Sequence, residues 1–502
     1  MPPLYFKPDG KELIRRVGRG RLERHTASRA RSGAQDLLVA HVGGSRQEMG
    51  RQYGALVGDS VRKNADRLTG LFTAAGLPEP VALRFIDSSW ERLAPHVPAP
   101  CIEEMEGIAA GASEAGFDLA IEDLQRILAV TNLDLYKREA RIPEFLGEDF
   151  IEMLGDAGQQ LLAALQGTPT LSCTMFAVWG SRTVDGKCFA SRNLDWVSQT
   201  GMHEERLLTV YRPEDGHAFV SMGYAGVLGC LAGMNEKGIS LSEVGAFSVR
   251  EELDGIPWVL LARRVLEESK CLDDAVGIIQ GAAHTIGYNY LVADGDPAHF
   301  GTKAFRPRAA AFETNYACCE VFFEDDPKEH DAVWADAAGQ SHAYGLPLKE
   351  AVMRADTAFG AGPRALQATD NGPGAPANTG DPRGRQGERS TYLACHKPMH
   401  DMIRAYERGD AYVSPVRGTQ VIEAGVPKRI GPEEAMKIAA TVAHGEEMLA
   451  ESDWDVMSVI YAPTDLDCWV AYESCDAGGV WRNAPDSGYW QYNLTELLED
   501  SE

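Results

Sequence analysis

The chain has 502 residues, 44% of them hydrophobic and 24% charged, and a formal net charge of −26. That balance suits one large or two medium globular units with a well-buried core, while the negative charge argues against a nucleic acid or an anionic membrane as partner. No run approaches the roughly eighteen apolar residues needed to span a bilayer, and the ten cysteines show neither C-x-x-C pairs nor zinc-type Cys/His clusters, so no metal and no cofactor are expected.

Residues 1–35 hold nine Lys/Arg against three acids but no apolar core of signal-peptide type. They read as a polar strand and turn ahead of Leu37-Leu38-Val39-Ala40-His41-Val42, and a reducing cytoplasm is the expected compartment. Ser45 and Glu48 have capping-box spacing at the head of an amphipathic stretch that runs to about Leu68. Helical periodicity recurs through about 80–94, 101–115, 120–137 and 148–166. Residues 1–172 therefore read as a mainly helical segment, joined to the rest by an exposed link, Gly167-Thr168-Pro169-Thr170.

After Cys173 the pattern changes to period-two strands over 174–180, 187–192, 206–212, 217–222, 226–233 and 238–244. A helix is predicted from Pro257 to Gln280, then strands at 289–294, 299–304 and 309–313. Residues 330–368 and 396–408 read as helical, and Pro432 to Leu449 as a last helix with two acids in its first turn. The Gly/Pro-rich stretch 371–387 reads as a flexible insertion, either a lid or a mere loop. The adjacent Cys318 and Cys319 read as two buried thiols in a strand rather than as a strained vicinal disulfide. The mixture is α+β.

The chemistry gathers at 171–196. Thr174 to Val178 is strand-like, Asp185-Gly186 is a strong turn pair, and a second strand leads into Arg192-Asn193-Leu194-Asp195. A hairpin of this kind brings the thiol of Cys173, the guanidinium of Arg192 and the carboxylate of Asp195 together, a reactive trio if the thiol is ionised by its surroundings. The plainer uses of the same residues are core filling by Cys173, a structural Arg192/Asp195 ion pair, and loop capping by Asn315.

Cys-Thr opening a strand, an Asp-Gly turn and Arg-Asn-x-Asp resemble the start of the catalytic chain of the N-terminal-nucleophile (Ntn) hydrolases, in the cysteine branch that holds choloylglycine hydrolase, penicillin V acylase and isopenicillin N acyltransferase. Gly233 to Ile239 resembles that family's Met-Asn-Glu-Lys-Gly turn, Thr314-Asn315 its Thr-Asn pair, and Ser458 to Tyr472 its closing hairpin. The Gly-rich, Met-Gly-Arg-containing stretch 42–54 extends the resemblance upstream.

The resemblance implies a four-layer αββα sandwich, cleavage between Ser172 and Cys173, and two chains from one precursor, residues 1–172 and the catalytic body 173–502. It implies Cys173 as nucleophile, Asp195 as acceptor of its new ammonium, Arg192 stabilising the thiolate and holding that carboxylate, and Asn315 donating to the oxyanion with a backbone N–H near Val244 or Gly245. Arg389 and Trp196 are candidate substrate contacts, and Met175, Phe176 and Trp258 offer apolar lining that core packing would also explain. Two departures stand out: 172 residues precede the nucleophile, which favours the acyltransferase-like branch, and Glu313 and Tyr316 flank the Thr-Asn pair where the family commonly has His.

The expected substrate is an N-acylated small molecule or peptide, cleaved through a thioester with the acyl group passed to water or an amine, and a homo-oligomer stays open. Two other readings remain: a cysteine peptidase with a separate base among His203, His217, His284 and His396, and a non-catalytic relative that binds a ligand or partner.

Overall fold

The computed structural model describes residues 5–28, 36–74, 78–132, 173–246, 248, 252–335, 338–367, 392–415, 418–443 and 453–499. Two large sheets dominate. The seven-stranded sheet runs in the order Tyr5–Phe6, Tyr489–Asn493, Asp467–Tyr472, Asp453–Ala462, Phe189–Val197, Thr174–Val178, Ala351–Arg354. The ten-stranded sheet runs Cys318–Phe322, Arg308–Asn315, Tyr288–Asp294, Ile239–Gly245, Ala232–Asn235, Phe219–Tyr224, Arg206–Pro213, Leu37–Gly44, Gly20–Thr26, Gly10–Val17. Helices Arg46–Ala74, Ala99–Glu114 and Trp258–Glu268 pack with the larger sheet, and Lys397–Arg408 and Pro432–Val442 with the smaller. The α+β fold is thus the layered αββα sandwich, in which each sheet buries one face on the other and one under helices.

The period-two alternation of a strand divides its residues between those two faces. Met175, Ala177, Ala190 and Leu194 join the core that includes the larger sheet, whereas Phe176, Val178 and Phe189 join the core under Lys397–Arg408 and Pro432–Val442. One irregularity matters: strand Asp453–Ala462 carries a bulge at Val456, so Asp455 stands opposite Asp195 while Met457 stands opposite Leu194. Val456 and Met457 consequently both face the inter-sheet core, and Asp455 is turned the other way.

Several expectations about the chain hold locally. Ser45 and Glu48 form the capping box, with Glu48 Oε2 accepting from the Ser45 N–H at 2.9 Å and the Glu48 N–H donating to Ser45 Oγ at 3.3 Å. The turn at 235–238 is held by Asn235, whose Oδ1 accepts from the Lys237 and Ile239 N–H groups at 3.0 Å and whose amide donates to Leu266 and Ser269 carbonyls at 2.8 Å. Gly238 lies at φ +78, and a Cβ there would come within 2.7 Å of the Pro463 carbonyl. Asp185 and Gly186 both have positive φ at the hairpin connection.

Other expectations are corrected. Residues 10–44 supply three strands to the larger sheet, including the parallel pairing of Leu37–Gly44 with Arg206–Pro213, so the N-terminal segment is not simply helical. Residues 299–304 are turn rather than strand, and 330–368 hold short strands at Val333–Ala335, Ser341–Ala343 and Ala351–Arg354 with one short helix, Ala361–Leu366. The predicted helix at 257–280 is two helices, Trp258–Glu268 and Leu272–Gln280. Cys318 and Cys319 are free thiols on a strand, as expected, but half-buried rather than buried. The expected helix at 148–166, the link 167–170 and the insertion 371–387 lie outside the described residues.

Candidate active site

Cys173 immediately precedes strand Thr174–Val178, which pairs antiparallel with Phe189–Val197. The side chain is 5% exposed, and its sulfur donates to the main-chain carbonyl of Asp195 at 3.8 Å. Burial, and after it the charge of Glu243, push the thiol up to about 12 against the opposing pull of Arg192. In the uncut chain this is a neutral thiol at physiological pH.

Arg192 is fully buried and points between the sheets. Its Nη2 meets Glu243 Oε2 at 2.6 Å, its Nη1 donates to the Leu231 carbonyl, and its guanidinium carbon lies 5.9 Å from the centre of the Trp258 ring. The expected grip of Arg192 on Asp195 is therefore replaced by a buried ion pair with Glu243. On a regular strand a spacing of three places two side chains on opposite faces.

Asp195 shares its face with Phe189 and Asn193. Asn193 donates to the Ala439 carbonyl of the overlying helix at 2.8 Å. Directly across the ladder is Asp455, and the two residues are 2% and 0% exposed. Burial first, then the charge and hydrogen bond of Asp455, hold the Asp195 carboxyl well above the usual carboxylate range.

Asn315 ends strand Arg308–Asn315 and is 2% exposed. Its Oδ1 accepts from the N–H groups of Ala317 and Cys318 at 2.8 and 3.0 Å. The carbonyl end is thus fixed by the turn, which leaves the amide nitrogen as the end that can donate elsewhere. The preceding Thr314 bonds the Tyr288 carbonyl at 2.8 Å, and Glu313 is buried against Arg354 at 2.8 Å.

The two backbone candidates are distinguished by ladder phase. Ala246 donates to the Gly287 carbonyl and Gly295 to the Gly238 carbonyl, both at 2.9 Å, so the even-numbered residues between them direct their N–H groups at strand Tyr288–Asp294. Val244 is spent in that ladder. Gly245 directs its N–H to the other edge, beyond the pairing of Leu241 with Gly233 on strand Ala232–Asn235.

Residues 181–317 match the family model of acyl-coenzyme A:6-aminopenicillanic acid acyl-transferase. The matched stretch begins after Cys173 and includes Arg192, Asp195 and Asn315. A relative in Archaeoglobus fulgidus, described as an uncharacterized protein, is 27% identical over 284 residues, which cover 55% of this chain and 45% of that protein; the chain spans about half the length of the curated relative it matches. Among solved structures, the N-acylethanolamine-hydrolyzing acid amidase ortholog of Caenorhabditis elegans overlaps 58% of this chain and 93% of its own at 12% identity and a TM-score of 0.35. A single-residue variant of conjugated bile acid hydrolase from Clostridium perfringens overlaps 64% and 93% at 13% identity and 0.34. Penicillin V acylase from Agrobacterium tumefaciens overlaps 60% and 83% at 12% and 0.30. Overlaps of that size say nothing of this chain's substrate.

The remaining candidates sort plainly. Ser172 and Arg389 lie outside the described residues. Trp196 is half-buried against the inter-sheet core, Met175 and Phe176 are fully buried core residues, and Trp258 donates to the Thr131 carbonyl at 2.7 Å. Burial pushes His203 and His284 down to about 4 and His396 well below the usual range, while His217 lies 3.5 Å from Glu236. Among the described residues the bond of the Cys173 sulfur goes to a backbone carbonyl rather than to any of these four rings, no group of three metal-binding side chains forms, and no helix is long and apolar enough to cross a membrane.

Sequence reasoning missed Glu243 and Asp455. Glu243 was visible as one carboxylate in Ile-Ser-Leu-Ser-Glu-Val-Gly, a strand otherwise of apolar and small residues, and Asp455 as an acid at the head of the apolar Val456 to Ala462 run. A charge inside such a strand needs a partner.

Proposed function

We propose that this chain is an autoproteolytic cysteine Ntn amidohydrolase or acyltransferase with Cys173 as nucleophile. The observation that carries the reading is the placement of the Cys173 sulfur 3.8 Å from the Asp195 carbonyl, at the mouth of the strand pair that also bears Arg192. Attack of that sulfur on the Ser172 carbonyl gives an ester-like link, and one water then releases residues 1–172 and 173–502. The new α-amino group, with a reference pKa of about 7.7 to 8.0, takes the thiol proton at neutral pH, which an amide nitrogen cannot do. Asp195 holds the ammonium, Arg192 stabilises the thiolate, and the Asn315 amide and the Gly245 N–H receive the oxyanion. Removing one such donor typically costs about 3 kcal/mol.

The substrate is an acylated small molecule or peptide with a cleavable C–N bond, and its acyl group passes from the Cys173 thioester to water or to an amine. Intact-mass measurement of purified protein tests the mechanism: two pieces in a mass ratio of about one to two are expected, and a single piece from Cys173→Ala. A wild type that stays full length yet turns over amides would sink the proposal. Release of free acid against capture by added amine separates the two outcomes of the thioester.

A further inference from the structure

Asp455 has no place in the chemistry above. It is fully buried, stands directly opposite Asp195 in the ladder, and is turned onto the same face by the bulge at Val456. Both carboxyl groups lie on the face covered by helices, where Asn193 bonds to helix Pro432–Val442 and Cys395, in the helical turn ahead of Lys397–Arg408, bonds the Val442 carbonyl at 3.7 Å. Two ionised carboxylates side by side, out of water, are strongly unfavourable, and one shared proton relieves this.

The largest influences on Asp195 act in one sense. Burial, Asp455, Cys173 and Cys395 each disfavour the ionised form of Asp195, and Arg192 is on the opposite face, neutralised by Glu243. The cross-strand position of Asp455 and the shared burial thus favour a protonated carboxyl in the pair.

We propose that Asp455 is a positioning residue for the nucleophile: it shares one proton with Asp195 in the uncut chain and gives that proton up to water when an ammonium forms at Cys173. This inference rests on the functional reading above. The balance closes: hydrolysis of the amide adds one water and yields a carboxylate on the released end and an ammonium on Cys173, while the pair loses one proton to solvent. The local charge is minus one before, from the half-protonated pair, and minus one after, from two carboxylates and one ammonium. The second carboxylate thus pins the ammonium beside Asp195 and leaves the amine able to cycle one proton with the sulfur during turnover.

Infrared difference spectroscopy on the full chain tests it. In Cys173→Ala, which stays uncut, a carboxylic-acid carbonyl band is expected at neutral pH and is lost on adding Asp455→Asn. In cut wild type the same band is absent. A Cys173→Ala spectrum without the band, or a band unchanged by cutting, overturns the proposal. In Asp455→Asn on the wild-type background, the amide donates to Asp195, so the acid limb of the self-cleavage or thiol-labelling profile moves down by about one pH unit or more. A purely structural loss would lower the amplitude at every pH and leave the midpoint in place, which also overturns it. The functional reading fails separately, by intact mass, if the wild type is never cut.

Discussion

Arg192 and Asp195, three residues apart on one strand, lie on opposite faces of the seven-stranded sheet. The guanidinium enters the inter-sheet core and pairs with Glu243 at 2.6 Å, and the carboxyl turns under the helices to meet Asp455. On the mechanism proposed above, Cys173 between them would be served from both sides, its sulfur by one and its nitrogen by the other.

Removing the charge of Glu243 leaves Arg192 buried without its counter-ion, so Glu243→Gln is expected to destabilise the fold by about 3 kcal/mol. Because Glu243 raises and Arg192 lowers the thiol, the surviving protein should have a more acidic Cys173. Iodoacetamide labelling of Cys173 followed against pH is expected to begin at lower pH than in the uncut parent, and labelling that begins at higher pH would contradict the assignment.

The oxygen end of Asn315 holds its turn, and the proposed mechanism gives the amide end a second use. Asn315→Asp keeps an oxygen for the Ala317 and Cys318 N–H groups but removes the amide donor, so folding should change little while self-cleavage slows by about a hundredfold or more. Thermal melting and the rate of appearance of the two fragments read the two ends separately. Equal loss in both would mean that the turn is the residue's whole function.

The Asp195 carboxyl is raised in the folded chain. A raised carboxyl contributes stability that is fully present below its unfolded pKa, near 4, and is lost as pH rises through the folded value. Uncut Cys173→Ala protein should therefore lose stability from this site on going from acid to alkaline solution. Asp455→Asn on that background removes the like charge and should raise the unfolding free energy most at alkaline pH, by an amount on the order of 1 kcal/mol, read by urea titration at several pH values. A larger gain at acid pH than at alkaline pH would reverse the sign and refute the pairing.

Glu104 of helix Ala99–Glu114 pairs with Arg263 of helix Trp258–Glu268 at 2.6 Å, both almost fully buried, and Arg263 and Arg46 converge on Glu267. This network ties the segment before Cys173 to the body after it. Glu104→Ala leaves a buried cation short of a partner and should cost about 3 to 5 kcal/mol. Urea titration of the intact chain checks the magnitude.

Much of this site was legible because motifs are local. The strand before Val178, the Asp185-Gly186 connection, the Asn235 turn and the 458–472 hairpin all follow from residues adjacent in sequence. Residues 10–26 were legible only as one polar strand and a turn, and not as two paired strands, because the exposed Lys11, Glu12 and Arg16 dilute the apolar alternation. Residues 330–368 were misread because three short strands separated by turns mimic weak helical periodicity. Asp455 escaped notice for a different reason: its meeting with Asp195 is set by a bulge at Val456 and by 260 positions of sequence separation, and neither is written in a local pattern. The pairing of Arg192 was misjudged by counting distance along the strand without counting faces.

Strand Leu37–Gly44 lies inside the larger sheet, parallel to Arg206–Pro213 and flanked on its other side by Gly20–Thr26. Scission ahead of Cys173 would thus leave two polypeptides woven through one sheet, neither able to depart without tearing a ladder. Expressed from separate genes, the halves should assemble only when they are made together, and a refolding mixture of one half alone should precipitate.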